Sequence, residues 1–395
     1  MLTMVEVNEM FKDYYLDVFR VQIDTGTDAL AAVLDKTDKH VDVTGEKAVW
    51  AFRYGRQGGF KSAGTDHDDE PSTSSRKTKQ GYTYTKNLIA KIYITDKVMK
   101  AARRGRGAFA TAMELELQDA TQDAKEQYSR QLHMDGSGVM ATTAAMGSPG
   151  KTFTINETER GVWFAEGMRI DVLNHNSPTT KIVDNAEITN VDDATGAITV
   201  DTSSNFQTAA GNYVVIADSY NNELTGLNAV FKSSGSIYGL DRAEYKFLVP
   251  QMITVGDELS EIVMQRGEDA VKVRTGAKID FWITTYGVQR AYQYMMSVLR
   301  RNIEYMKLKG GYEEMSYKGK PIIASKYTPA GVLRGLVLDD WRIHQLYDWD
   351  WLDADGAVLK KVANKTAYEA VMTKYADLGC YRPKAQLQLS AITEH

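Results

Sequence analysis

Between residues 107 and 133 the apolar side chains Phe109, Met113, Leu117, Ala120, Ala124, Tyr128 and Leu132 recur at steps of three and four, the repeat of one face of an α-helix. No proline interrupts the run. At ~1.5 Å per residue such a helix reaches roughly 40 Å, longer than a small domain is wide, so other elements must lie along it. The stretch predicts a spine. Gln118, Gln122, Lys125, Glu126, Ser129 and Arg130 fall between the apolar positions and are expected on the opposite, solvated side, with Glu126 and Arg130 as an i,i+4 pair. Asp135, Gly136, Ser137 and Gly138 suit a left-handed stop. Ahead of the spine, Thr95 or Asp96 can cap a short helix carrying Val98, Met99 and Ala102, and Arg103, Arg104 and Arg106 read as a solvated helix end, with a specific phosphate contact as the alternative.

A chain of 395 residues has room for two or three domains. Its 43% hydrophobic and 25% charged residues exclude global disorder. A net charge of −5 argues against a surface given over wholly to nucleic acid, although one basic face remains compatible with it. The single cysteine, Cys380, rules out an internal disulfide or a cysteine zinc cluster. The N-terminus, MLTMVEVNEMFKDYY, is acidic where a signal peptide is basic, and no uncharged apolar run approaches the ~18 to 20 residues that span a bilayer. A soluble intracellular site of synthesis and no membrane partner are expected.

In chain order, the first 45 residues hold two modest helical patterns, too small for a core, and read as an arm that packs on something else. Residues 47–54 (KAVWAFRY) and 82–95 (YTYTKNLIAKIYIT) are aromatic and β-branched, and pair as a long hairpin. The connection, residues 55–81, is polar apart from Phe60 and far exceeds the ~12 to 15 residues beyond which structureless loops become rare. A two-stranded hairpin is marginal in water, so this one calls for support, which contacts with neighbouring subunits would supply. Residues 139–151 read as a flexible linker. Strands are expected at 152–155, 161–172, 181–191, 197–201 and 212–216, with a hairpin turn at 192–196, forming a small inserted barrel or sandwich. Mixed α and β follow: helices at 256–271 and 288–299, strands at 278–283, 321–325, 332–338, 341–347 and 358–362, and a half-buried C-terminal strand on which Ala385, Leu387, Leu389 and Ala391 alternate with polar residues.

No catalytic constellation emerges. Gly150, Lys151 and Thr152 resemble the end of a phosphate-binding loop, but Ala145 stands where its first glycine belongs and a strand pattern follows instead of a helix. The run of Asp66, His67, Asp68, Asp69 and Glu70 attracts cations without forming a shaped site, and Asp348, Asp350, Asp353 and Asp355 miss the calcium-loop spacing. None of the six histidines has ligand spacing with another. Cys380 reads as a small core or strand residue. No cofactor and no metal are expected.

The order of parts resembles the major capsid proteins of tailed bacteriophages, whose shared fold is named after phage Hong Kong 97. The resemblance is carried by RYGRQGG (53–59), YITDKVMKAA (93–102), GAFATAMELEL (107–117), RQLHMDGSG (130–138), GGYEEMSYKGKPIIASKYTP (310–329) and LDDWRIHQLYDWDWLDADG (338–356). It covers nearly the full length.

This resemblance implies an α+β chain with an N-terminal arm (1–46), a hairpin termed the E-loop (47–95), a peripheral domain with the spine helix (96–150), an inserted β-rich domain (151–226), an axial domain with returning peripheral strands (227–365) and C-terminal peripheral strands (366–395). It further implies a structural, non-enzymatic subunit that assembles with itself into pentamers and hexamers of an icosahedral virion head. Double-stranded DNA would lie against the inner face, and assembly would take place in the host cytoplasm. A portal, a separate scaffold protein or none, and a decoration protein are the implied partners. Arg53, Tyr54, Arg56, Phe60 and Lys61 are the candidate inter-subunit contacts. Phe109, Met113, Leu117, Ala124, Tyr128 and Leu132 are the core face of the spine. The alternatives are an encapsulin-like shell around a cargo enzyme and, more remotely, a nucleotide-binding enzyme built on Lys151.

Overall fold

The computed structural model describes residues 28–34, 39–43, 45–62, 69–96, 106–298, 305–307, 313–353 and 359–395, with the backbone alone for 29, 32, 106–119, 298, 305–307, 313 and 314. The first 27 residues of the expected arm, the short helix at 98–102, Arg103 and Arg104, and Asp66, His67 and Asp68 lie outside the described residues. The chain divides into a body, formed by what precedes Met134 and follows Leu224, and an insert, Met134–Leu224.

In the body the spine is a single helix, Arg106–His133. Tyr128 and Leu132 are buried on it, and Ala124 packs with the core of the adjoining sheet. The expected solvated face does not hold over the last two turns. Lys125, Ser129 and Arg130 are buried as well, Arg130 to 1% exposure, while Gln122 and Glu126 stay exposed. The reason is tertiary. Helix Ala29–Leu34, strand Lys86–Thr95 and the short helix Leu227–Val230 all contact the spine, so little of its circumference is left to water. Arg130 Nε donates to Gln127 at 2.9 Å, and Glu126 lies 3.8 Å from Lys326.

The spine packs against a five-stranded sheet built on the long strand Ala367–Cys380, which the sequence pattern did not announce. Trp341–Trp351 pairs antiparallel with it along one edge, and His40–Asp42 runs parallel to Trp341–Trp351 beyond. Lys86–Thr95 pairs along the other edge, from Ala367↔Thr95 to Ala376↔Lys86. The expected 82–95 hairpin strand is therefore two strands. Thr78–Tyr84 alone pairs with Lys47–Arg53, in register from Lys47↔Tyr84 to Arg53↔Thr78. Lys86–Thr95 joins the sheet because it carries a second apolar row, Leu88, Ile92 and Ile94, which a two-stranded ribbon could not cover.

The rest of the body is a seven-stranded sheet in the order Gln251–Thr254, Leu387–Ser390, Leu333–Leu336, Phe281–Thr284, Lys320–Ala324, Glu313–Tyr317, Tyr305–Lys307. Helices Glu261–Thr275 and Tyr286–Val298 cover it through a core that includes Met264, Val271, Trp282, Val288, Tyr292, Leu333 and Leu387. The first helix is capped by Ser260, whose hydroxyl accepts from the Val263 N–H at 3.3 Å, and ends at Gly276 with φ +72°. The C-terminal strand is not half-buried as expected. It lies inside the sheet, with Leu387 and Leu389 on one face and Gln388 buried on the other, where its side-chain oxygen accepts from Arg334 Nε at 3.0 Å.

In the insert, residues 139–151 are no linker. Val139–Thr142 is the first strand of a six-stranded sheet whose order continues Tyr213–Ile216, Arg169–Asn174, Ser177–Asp192, Ala197–Asp201, Thr152–Thr154. A bridge between Thr143 and Ile155, with the Ala144 N–H on the Thr154 carbonyl at 2.7 Å, joins the last strand back to the first. The sheet thus closes into a small barrel filled by Met140, Phe153, Ile170, Val172, Ile188, Ile198 and Val214. The expected strand 161–172 is a 3-10 turn, Thr158–Trp163, followed by Arg169–Asn174. Gly196 closes the predicted turn at φ +67°, with Asp192 accepting the Ala194 N–H at 3.0 Å. Lys151 leads into the strand Thr152–Thr154, not a helix, so no phosphate-binding loop forms around it.

Candidate assembly surface

The ribbon of Lys47–Arg53 and Thr78–Tyr84 sorts its side chains with a period of two. Ala48, Trp50 and Phe52 share one face with Gly81 and Thr83, and this face is clamped to the rest of the body by aromatic rings. Trp50 stacks on His344 with centroids 5.0 Å apart and planes 8° from parallel, and meets Tyr238 edge-on at 4.8 Å. Phe52 packs on Tyr238 and Phe247, and Tyr54 stacks on Phe247 at 4.9 Å. Gly81 is required by close approach, since a Cβ there would lie 2.5 Å from the Phe52 ring and 3.3 Å from Tyr238 Cβ. Thr83 donates its hydroxyl to the buried carboxylate of Asp377, which also accepts the Thr225 N–H at 2.7 Å. Burial pushes the Asp377 carboxyl above its usual range in spite of these bonds.

His344 is buried and neither of its ring nitrogens has a hydrogen-bond partner. Burial, helped by the positive charge of Arg342, lowers its pKa to about 4. At neutral pH it is an uncharged plate for Trp50.

Among the described residues the outer half of the ribbon has no such support. Tyr54 and Gly55 both donate to the Lys77 carbonyl, at 3.1 and 3.4 Å, and Ser74 donates its N–H and its hydroxyl to the Gln57 carbonyl at 2.9 and 3.1 Å. Near the tip, Lys61 Nζ reaches the Asp69 carbonyl at 3.1 Å. Phe60 is 89% exposed, and Arg53 and Arg56 are exposed with no ion pair among the described residues. The structure therefore strings Arg53, Arg56, Phe60 and Lys61 along one arm, whereas Tyr54 turns to the body and belongs to the clamp. Of the predicted spine face, Ala124, Tyr128 and Leu132 lie at the packed end, and the side chains of Phe109, Met113 and Leu117 are outside the described residues.

A second surface was not singled out from sequence. The five-stranded sheet buries one face, with Ile92, Ile94, Trp351, Ala370 and Met372 packed beside Ala120 and Ala124 of the spine. Lys374 is buried on that side, 2.9 Å from Asp348 and 5.0 Å from the centre of the Tyr128 ring. The other face presents Ile89, 66% exposed, with Tyr93 and Tyr347 around the ion pair of Lys91 and Glu369 at 2.5 Å. The signal was in the strand itself, because Leu88, Ile89, Ile92, Tyr93 and Ile94 put apolar residues on both faces.

One cluster invites a catalytic reading. His133 Nε2 lies 3.0 Å from Asp28 Oδ2 and 3.4 Å from Ser325 Oγ. Both partners face the same ring nitrogen, so Asp28 cannot orient the imidazole for proton transfer from Ser325, and His133 and Ser325 are buried. The arrangement pins the helix Ala29–Leu34 to the end of the spine. Burial alone would raise the Asp28 carboxyl, but the hydrogen bond and charge of His133, with Ser325 and the Leu30 N–H, hold it below the usual range. Among the described residues no group of three or more His, Cys, Asp or Glu is placed to hold a metal, and no helix is long and apolar enough to cross a membrane. Cys380 is free and buried.

No protein family and no curated protein matches the chain by sequence. Solved structures do. The capsid asymmetric unit of cyanophage A-1(L) superposes with a TM-score of 0.55 over 90% of each chain at 10% identity. The capsid of a native GTA particle aligns over 94% of each chain, with a TM-score of 0.45 and 9% identity. An encapsulin of Synechococcus elongatus aligns over 36% of this chain and 53% of its own, with a TM-score of 0.28 and 15% identity. Shared architecture over nine-tenths of both chains, as with the cyanophage capsid, gives this chain the α+β fold of the phage major capsid proteins, the Hong Kong 97 type.

Proposed function

We propose that the chain is the structural subunit of a closed protein shell, a major capsid protein that assembles with itself into pentamers and hexamers around double-stranded DNA. The observation that carries this reading is the ribbon. Its base is fixed by six aromatic rings and a buried carboxylate, while its outer half, with Phe60 exposed near the tip, has no such contact among the described residues. A rigidly held arm with an apolar tip fits contact with a second copy, as does the open face bearing Ile89, Tyr93 and Tyr347. Head-to-tail contacts of this kind close into rings, and rings bent slightly differently close into a shell. Each contact contributes a few kcal/mol after ordering costs, and a subunit held on several sides sums them.

In this reading the shell is that of a virion head assembled in the cytoplasm of a bacterial host. A portal fills one vertex, a scaffold protein guides closure, a decoration protein is a possible outer partner, and DNA lies against the inner face through nonspecific phosphate contacts. No chemistry is assigned to the subunit. The test is negative-stain electron microscopy with sedimentation of the full chain expressed in bacteria. Closed shells or capsomer rings are the expected result, and co-expression with the remaining head proteins then yields DNA-filled particles. Shells filled with a protein cargo and devoid of DNA replace the virion by a cellular compartment. A monomer at every concentration, with or without the other head proteins, overturns the proposal.

A further inference from the structure

In the body an open cavity of about 410 Å³ is lined by Lys246, Arg274, Lys384, Gln251 and Ser233 among others. Each cation comes from a different element. Lys246 opens the 3-10 turn Lys246–Leu248, Arg274 stands in the last turn of the helix Glu261–Thr275, and Lys384 lies in the 3-10 turn Pro383–Ala385. No carboxylate is among the lining residues, and none of the three cations has an ion pair among the described residues. In a chain of net charge −5, three uncompensated cations around one cavity set up a local field that favours an anion.

The cavity is also built. Gln251, at 4% exposure, begins the strand Gln251–Thr254 and is anchored by its own N–H on the Gln386 carbonyl at 2.8 Å. Its side-chain oxygen accepts from Arg274 Nη1, and its side-chain nitrogen donates to the Lys384 carbonyl at 3.2 Å. One buried amide thus orients the guanidinium and ties down the turn that carries Lys384. The remaining guanidinium N–H groups, two ammonium groups and the Ser233 hydroxyl supply donors and no competing negative charge, the donor set that suits a phosphate group.

We propose that this cavity is a phosphate-binding site. The chemistry is that of a phosphate ester or anhydride, and it has two sources, the phosphodiester backbone of DNA or a small free polyphosphate. The first source rests on the shell reading given above; the phosphate chemistry does not, because the cavity lies within one chain.

The test uses the full chain dissociated to subunits or capsomers, with two probes, inorganic pyrophosphate followed by calorimetry and a short double-stranded DNA followed by fluorescence anisotropy across a salt series. The triple variant Lys246→Gln, Arg274→Gln, Lys384→Gln is compared with an equal charge change at exposed lysines elsewhere, Lys151→Gln, Lys361→Gln, Lys365→Gln. For DNA the cavity variant is expected to lower the slope of log affinity against log salt by about 2 to 3, at ~0.9 for each phosphate no longer neutralised, and the control to leave it unchanged. Pyrophosphate is expected to bind the parent at least tenfold more tightly than the cavity variant. Gln251→Leu, which keeps every charge, is expected to weaken pyrophosphate binding by unfixing Arg274. Pyrophosphate binding abolished in the cavity variant with no change in the DNA slope supports the site and assigns it to the small-molecule source. Equal losses in the cavity and control variants, or no binding of either probe by the parent, overturn the proposal. Shell formation is scored separately by microscopy, so a failure here leaves the assembly reading standing, and a failure to assemble leaves this one testable.

Discussion

The insert and the body solve the same problem in opposite ways. The barrel of Met134–Leu224 pairs its first strand with its last through Thr143 and Ile155 and buries Met140, Phe153, Ile170, Val172, Ile188, Ile198 and Val214. Its ends also meet, with the Asn221 N–H on the Ser137 carbonyl at 2.8 Å. The body, by contrast, has among the described residues a ribbon without a second layer over its outer half and a sheet with apolar residues on both faces. A closed barrel removes edges, and an open ribbon and open face keep them available. The difference teaches that, among the described residues, the body leaves backbone edges and apolar side chains open where the insert pairs and buries its own.

The sharpest way to break this comparison is to remove the arm. Replacing residues 56–76 by a two-residue Asn-Gly turn leaves the clamp of Trp50, Phe52 and Tyr54 in place, and is expected to abolish shell formation with little effect on folding, read by sedimentation beside circular dichroism. Shells of normal size from this variant would sink the assignment of the arm to assembly. The single change Phe60→Ala is milder. If the ring docks on a neighbour it costs about 2 kcal/mol per contact, which is about thirtyfold in the concentration needed to assemble.

Next in size is the clamp itself. Phe52 is 4% exposed among Tyr238, Phe247 and Gly81, so Phe52→Ala is expected to cost about 3 to 5 kcal/mol through reduced burial and the cavity left behind. Hydrogen exchange resolved by segment is the measurement. Protection is expected to fall in 47–54 and 78–84 and to stay unchanged in the barrel strands, and an equal fall in both would end the separation drawn here.

A smaller, pH-dependent effect follows from His344. Its pKa falls from 6.5 to about 4 on folding, first through burial and then through Arg342. The unfolded chain therefore takes up the proton first. The contribution of the neutral imidazole is whole above pH 6.5, declines as pH drops from 6.5 towards 4, and is gone below that, a total of about 3 kcal/mol. His344→Phe keeps a ring for Trp50 and is expected to flatten the loss of body stability between pH 6.5 and 4, measured by denaturant titration at several pH values. An unaltered pH profile in the variant would mean that His344 is not the group that titrates.

Much of this was legible in the sequence, and the misses have a common cause. The spine, the turn at 192–196 and the strands expected at 197–201 and 321–325 follow from local period and turn residues, the last observed as Lys320–Ala324. Local pattern puts Lys125, Ser129 and Arg130 on a solvated face because it cannot show that a helix is surrounded. Local pattern does not mark strand Ala367–Cys380, which only the resemblance implies within the strands of 366–395, because its buried row includes Lys374, which reads as polar until Asp348 and Tyr128 are brought to it. The pairing of Lys86–Thr95 with Ala367–Cys380 is hidden from local pattern because the two strands stand far apart in the chain. In the candidate surface the exposed side, Arg53, Arg56, Phe60 and Lys61, was accessible as an overlong loop with one aromatic residue. The clamp was not, since Tyr238, Phe247, His344 and Asp377 meet the ribbon only through tertiary structure.

The smallest expected effect sharpens the barrel side of the comparison. On its surface Arg169 Nη2 and Glu187 Oε2 are 3.1 Å apart with both side chains about half exposed, and Arg169 also donates to the Asn185 carbonyl at 3.2 Å. An ion pair in that much water is screened and must hold two flexible side chains in place, so Arg169→Ala is expected to change stability by less than about 1 kcal/mol. Shell formation is expected to proceed as in the parent, because a barrel with paired edges does not depend on this pair for its closure. A thermal melt of the variant beside an assembly assay checks both halves. A large loss of assembly with an unchanged melt would show that the barrel surface, too, meets a neighbour, and would remove the contrast between a self-sufficient insert and a body built for partners.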